Sequence, residues 1–206
     1  MNPYLAARGI TKRFGSVLAN DGVDFDLLES EIHAVLGENG AGKSTLMNIL
    51  YGMYRPDKGS ISVQGNEVHF TSPRDAIAHG IGMVHQHFML VPTFTVLQNV
   101  ILGLPSPREP LLDLTFLREK VDETAKKYRL AIDLEAPVWQ LPVGVQQRVE
   151  ILKVLFRGAR VLILDEPTSV LTPQEVDEFF TVLRSLRERG YSVVLITHKL
   201  HEVKAL

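Results

Sequence analysis

Gly37-Glu38-Asn39-Gly40-Ala41-Gly42-Lys43-Ser44-Thr45 fits the phosphate-cradling pattern of Gly, four residues of any kind, Gly-Lys, and then Ser or Thr. Upstream, Glu31-Ile32-His33-Ala34-Val35-Leu36 reads as a strand, and downstream Leu46, Ile49 and Leu50 recur at helical spacing. Strand, glycine loop and helix form the setting in which such a loop binds a nucleoside triphosphate. A glycine-rich turn with an incidental lysine is the competing reading, and the flanking elements weigh against it.

The chemistry follows from the residue types. Glycines let the backbone curl so that successive N–H groups face inward, and the following helix aims its positive end at the same anion. Gly37, Asn39, Gly40, Ala41 and Gly42 supply that cradle. Lys43 is expected to reach the β- and γ-phosphates, Ser44 to hold Mg²⁺ through its hydroxyl, and Thr45 to contact the phosphate chain nearer its α end.

A second constellation lies far downstream. Val161-Leu162-Ile163-Leu164-Asp165 reads as a buried parallel strand, with Asp165 and Glu166 at its carboxyl end, where α/β sheets place their ligand crevices. Asp165 suits a Mg²⁺ held through its water shell, and Glu166 suits a base that orients or deprotonates an attacking water. Taken alone, the pair also fits a solvated or helix-capping acidic loop.

Between these motifs the pattern is α/β. Short alternating stretches from Leu5 to Leu36, the turn Arg55-Pro56-Asp57-Lys58-Gly59, the strand Ser60–Val63 and a return strand at Val68–Phe70 predict an antiparallel layer. Pro73–Ala78 suits a short helix and Ile81–Val84 a buried strand. Composition then changes for about fifty-five residues, marking an inserted helical subdomain. Inside it, Leu117, Val121, Ala125 and Tyr128 share one helical face, and Pro105, Pro107 and Pro110 break the stretch before. Later, Thr172-Pro173-Gln174-Glu175 predicts a capped helix ending at Gly190, followed by a buried strand at Val193–Thr197. The expected organisation is one unit over 1–206: a core with its β layer from 1–86 and 151–206, and the helical subdomain from 87–150.

Composition weighs against several functions. With 22 Lys plus Arg against 24 Asp plus Glu, net −2, the chain has no overall basic footprint for nucleic acid. No cysteine is present, which removes disulfides and thiolate metal sites. No apolar run approaches the ~20 residues that span a bilayer, and the N-terminus lacks a secretory pattern. His85 with His87, and His198 with His201, lack a carboxylate or thiol spaced to complete a metal site. Trp139 is expected to be a packing residue.

Taken together, GENGAGKST, Leu141-Pro142-Val143-Gly144-Val145-Gln146-Gln147-Arg148, LILDEPTS at Leu162–Ser169, and His198 after an apolar strand resemble the nucleotide-binding domain of the ATP-binding-cassette superfamily. The resemblance implies a phosphate-loop NTPase (RecA-like) core and Mg²⁺-dependent ATP hydrolysis. It also implies that Phe14 stacks on adenine, that Gln86 senses Mg²⁺ and γ-phosphate, and that His198 acts on the γ-phosphate and keeps Glu166 in place. In that family two domains face head to tail, so Gly144 and Gln146 are expected to serve a nucleotide on the partner domain. The family signature Leu-Ser-Gly-Gly-Gln appears here as Leu141-Pro142-Val143-Gly144-Val145. Pro142 removes a hydroxyl and an N–H from that surface, which implies unequal composite sites.

Thr168–Glu175 and the preceding Val143–Lys153 resemble the first half of tandem ATPases that energise nucleoside and simple-sugar importers. The implied partners are a second nucleotide-binding domain, membrane-spanning permease subunits and, indirectly, a solute-binding protein, with the chain peripheral on the cytoplasmic face of the membrane. The chain stops eight residues after His198, whereas the family's domains continue, so a fragment is expected. Two other readings stay open: a cassette ATPase acting on nucleic acid or the ribosome, and a non-hydrolysing nucleotide-dependent clamp.

Overall fold

The computed structural model describes residues 3–104 and 113–206; Pro105, Pro107 and Pro110 lie outside them. An antiparallel sheet contains β1 (Leu5–Phe14), β2 (Val17–Leu27), β4 (Lys58–Val63) and β5 (Asn66–Val68), in the order β2-β1-β4-β5. A parallel sheet contains β3 (Ile32–Leu36), β6 (Ile81–Val84), β7 (Val161–Asp165) and β8 (Ser192–Thr197), in the order β3-β8-β7-β6. Between strands run α1 (Lys43–Leu50), α2 (Pro73–Ala78), α3 (Val96–Ile101), α4 (Leu114–Lys127), α5 (Val143–Phe156) and α6 (Pro173–Glu188), and α7 (Leu200–Ala205) follows β8.

The parallel sheet is a wall shared by two cores. Successive side chains of a strand point to opposite faces, and in β7 and β8 both faces are apolar. Leu162, Leu164, Val193 and Leu195 join Val100, Val121, Ile151 and Phe180 on the helical side. Val161, Ile163, Val194 and Ile196 join Leu5, Leu27, Met47 and Leu50 on the side of the antiparallel sheet and α1. Each such side chain contributes roughly 1.5–3 kcal/mol on burial, which explains why these strands read as unbroken apolar runs. The expected division at residue 150 falls inside α5, whose Val149, Ile151 and Leu152 belong to the same cluster as the sheet.

Local signals explain most boundaries. Thr172 and Glu175 cap α6 reciprocally: the Thr172 side chain accepts from the Glu175 amide, and Glu175 Oε2 accepts from the Thr172 amide at 2.9 Å. Leu117, Val121 and Ala125 form the buried stripe of α4, and Tyr128 is buried just beyond it. The return strand is displaced from the expected Val68–Phe70 to Asn66–Val68. Gln64 and Gly65 both have positive φ, 52° and 79°, so a tight two-residue turn reverses the chain earlier than the later apolar residues imply.

Gly82 on β6 is where the sheet meets α5 most closely. A Cβ there would lie 2.2 Å from Val154 Cγ1 and 3.1 Å from Ala159 Cβ. Gly82→Ala should therefore destabilise the fold by about 1–3 kcal/mol through overpacking, read in urea as a lower unfolding midpoint at unchanged slope.

Candidate functional site

Strand register sets the site. Leu36 lies opposite Thr197, Asp165 opposite Ile196, and Val84 opposite Leu164. All four parallel strands thus end almost level, and the segments leaving them emerge along one rim. Those segments carry Gly37, Gln86, Glu166 and His198, residues scattered over the whole sequence.

The loop from Gly37 to Gly42 curls as its glycines predict. Gly40 and Gly42 hold φ of 84° and 85°, and a Cβ on Gly42 would sit 2.2 Å from the Ala19 carbonyl oxygen. Buried Asn20 on β2 donates Nδ2 to the Gly42 carbonyl at 3.2 Å, an anchor that no sequence motif announces. Lys43 donates Nζ to the carbonyls of Gly37 at 2.7 Å and Glu38 at 2.8 Å. An ammonium carries three donors, so this arrangement holds the charge within the loop with capacity for an anion. Asn39 through Thr45 line a cleft of about 440 Å³ together with Phe14, Gln86 and Glu166, a size suited to a small-molecule ligand. Val17, Leu18 and Ala19 of β2 add an apolar stretch that motif reading did not single out.

The acidic pair lies beside this loop. Ser44 Oγ donates to Asp165 Oδ1 at 3.2 Å. Burial, the largest influence, pushes the Asp165 carboxyl above its ordinary range; Glu166 adds to the rise, while the Ser44 hydroxyl, His85 and Lys43 oppose it. Glu166 is held from both sides: Gln86 Nε2 donates to Oε2 at 3.1 Å, and His198 Nδ1 lies 3.3 Å from Oε1. Its backbone sits at φ 46°, a left-handed conformation that costs a side-chain-bearing residue roughly 1–2 kcal/mol.

A hydroxyl beside a buried carboxylate whose charge lacks a full counterpart is a donor set suited to a hard divalent cation. Mg²⁺ takes one or two protein oxygens and completes its shell with water and phosphate. Ser44 and Asp165 meet that requirement, with the Gln86 side chain on the same rim.

The remaining expected residues fall in different places. Phe14, 42% exposed at the end of β1, packs edge-on against Tyr54 with centroids 5.3 Å apart, under the Lys12 ammonium 5.5 Å from its centroid. Gly144 and Gln146 do not line the cleft; they occupy the first turn of α5. Pro142 caps that helix with no side-chain bond, and the Gly144 N–H goes instead to Glu175 Oε1 at 3.2 Å. Gln146 Nε2 donates to the Leu141 carbonyl at 2.9 Å. Trp139 is not a packing residue: it is 64% exposed, because the short 3-10 turn Val138–Gln140 buries Val138 and turns the indole outward.

A family model described as "ABC transporter" matches residues 20–169. The chain is 51% identical over 197 residues to the nucleoside import ATP-binding protein NupA of Lactococcus lactis subsp. cremoris, covering 96% of this chain and 39% of that protein. It is 50% identical to the guanosine import ATP-binding protein NupO of Bacillus subtilis, covering 90% and 36%. The crystal structure of the ADP conformation of MJ1267, an ATP-binding cassette of an ABC transporter, superposes with TM-score 0.86 at 25% identity, covering 98% and 84%. The chain therefore spans about two fifths of the length of these curated relatives.

Asp165 generates a testable consequence. Because its folded-state pKa is raised, its contribution to stability is fully present below the ordinary carboxylate range and is lost as pH climbs through the raised value. Asp165→Asn should melt above the wild type at pH 7 without ligand, and the gap should close as pH falls toward about 4. Adding Mg²⁺ to a nucleotide should stabilise the wild type further and add little to the variant; thermal melts across pH check both.

Proposed function

Because this chain belongs to the ABC transporter family, we propose that it binds ATP with Mg²⁺ in the phosphate-loop cleft and hydrolyses it to drive a membrane importer. Nucleosides or simple sugars are the proposed cargo, on the similarity to nucleoside, guanosine and ribose import ATP-binding proteins. The observation that carries the reading is the meeting of Gln86, Glu166 and His198 on the rim of the loop that holds Lys43.

In this mechanism the amides from Gly37 to Thr45 cradle the phosphates, and Lys43 turns its ammonium from the loop carbonyls to the β- and γ-phosphates. Phe14 offers its ring to adenine. Ser44, Asp165 and Gln86 would hold Mg²⁺, which would supply charge neutralisation to the phosphate chain. Glu166 accepts a proton from water as the water oxygen bonds to the γ-phosphorus. The bond from that phosphorus to the bridging oxygen breaks, leaving ADP and inorganic phosphate. Gln86 and His198 each fix one oxygen of that carboxylate, and His198 steadies the terminal phosphate.

The assembly follows the same reading. A second nucleotide-binding domain faces this one, and Gly144 and Gln146 contact the nucleotide held by that partner; a precedent for pairing is the dimeric structure of the cassette MJ0796, with TM-score 0.80 to this chain. Permease subunits supply the membrane path, and a solute-binding protein feeds them. The chain itself acts peripherally on the cytoplasmic face; among the described residues no helix is long and apolar enough to cross a membrane. Residues 87–150 act as the helical subdomain that passes movement from the core, 1–86 and 151–206, to the permease.

Glu166→Gln should lower ATP turnover by about 10²–10⁴-fold while ATP affinity stays near wild type; unchanged turnover would remove Glu166 from the mechanism. Lys43→Ala should instead weaken nucleotide binding itself, measured by titration. Pro142 leaves the α5 terminus without a hydroxyl, and Pro142→Ser should raise turnover at the facing domain's site, since a charge-assisted hydrogen bond is worth roughly 1.5–3 kcal/mol. Equal rates before and after that change would count against unequal composite sites.

A further inference from the structure

Glu202 on α7 is 1% exposed, yet it carries a carboxylate. Thr168 Oγ1 donates to its Oε1 at 2.6 Å, and Thr197 Oγ1 donates to its Oε2 at 2.7 Å. Lys199 Nζ completes the cluster, 3.2 Å from Glu202 Oε1 and 3.1 Å from the Thr168 carbonyl. Burial, the largest influence, works against the charged form, and the hydrogen bonds from Thr168, Thr197 and Lys199 outweigh it, holding the carboxyl below its ordinary range.

The two hydroxyls belong to different segments. Thr168 lies two residues after Glu166, on the loop leaving β7, and Thr197 ends β8 immediately before His198. Above the cluster, the Glu166 amide donates to the Ile196 carbonyl at 3.1 Å, and the Glu166 and His198 side chains lie 3.3 Å apart. One backbone hydrogen bond alone leaves the spacing of two irregular segments free to vary. A buried carboxylate with one oxygen committed to each segment fixes it, since either hydroxyl that leaves costs a charge-assisted hydrogen bond at a site closed to water.

We propose that Glu202 is a positioning residue for ATP hydrolysis, clamping the Glu166 loop to the His198 segment so that the carboxylate and imidazole keep their mutual placement. It does not line the phosphate-loop cleft. The inference rests on the proposed ATPase activity and extends it to a residue outside the cleft.

The test uses the protein in its native assembly, with Glu202→Gln, Thr168→Val, Thr168→Ser, Thr197→Val and Thr197→Ser. The valine changes keep shape and remove the hydroxyl; the serine changes keep the hydroxyl. A small misplacement at a reacting centre costs up to about 100-fold. Accordingly kcat should fall about 10- to 100-fold in Glu202→Gln and both valine variants, with KM and ATP affinity within about twofold of wild type, and both serine variants should recover most of the rate. Adding Thr168→Val to Glu202→Gln should cost little more than either alone. If Glu202→Gln fails to fold, the threonine pairs carry the test unaided. The clamp is overturned if the valine and serine variants turn over alike, or if rate and ATP affinity fall in parallel with the folded fraction. An inactive wild type would overturn the ATPase reading itself, whereas an active wild type with indifferent variants would overturn only the clamp.

Discussion

The parallel pairing of β3, β8, β7 and β6 is the constraint on which the rest depends. Its register brings Leu36 level with Thr197, and Asp165 level with Ile196. Backbone hydrogen bonds between buried strands leave no latitude for slippage, because a shift by one residue would exchange the two apolar faces that feed the two cores. The phosphate loop, the acidic pair and the histidine thus meet because the sheet beneath them has a single permitted alignment. Chemistry at the rim inherits its precision from hydrophobic burial below.

That rim holds what the core rejects. Asp165 closes a strand whose other residues are fully apolar, and burial raises its carboxyl by more than the Ser44 hydroxyl, His85 and Lys43 lower it. Glu166 follows in a left-handed backbone conformation. Both features cost stability: burial disfavours the charged carboxylate, and the left-handed backbone is strained for a residue with a side chain. Glu202 shows the contrary arrangement, a buried carboxylate with every oxygen engaged. The contrast separates an acid whose burial is incompletely offset from one whose hydrogen bonds outweigh it.

Helix α5 links the site to its surroundings. Its first turn carries Gly144, whose N–H is taken by Glu175 in place of a cap from Pro142. Its middle grips the loop beyond Gln86: buried Glu150 accepts from the Met89 amide at 2.6 Å, and Lys153 donates to the Met89 carbonyl at 3.0 Å. Its end packs on Gly82 of β6. A displacement of the Gln86 loop therefore bears directly on the helix that presents the expected in-trans residues.

The sequence by itself determined the phosphate loop, the acidic pair, the buried strands and the cap of α6, because each is written in residues close along the chain: glycines that permit positive φ, a Thr–Glu reciprocal cap, uninterrupted apolar runs. It misplaced β5 by two residues, since the Gln64–Gly65 turn is a weaker signal than the apolar residues beyond it. It also misjudged Trp139, because an indole's burial depends on which way a short turn faces. Folding alone reveals that Asn20 anchors Gly42, that Glu175 takes the Gly144 N–H where Pro142 offers no cap, and that Glu202 joins Thr168 to Thr197. These contacts join residues through strand register and helix packing, and a lone Asn or Glu among polar neighbours carries no periodicity that would set it apart before the chain is folded.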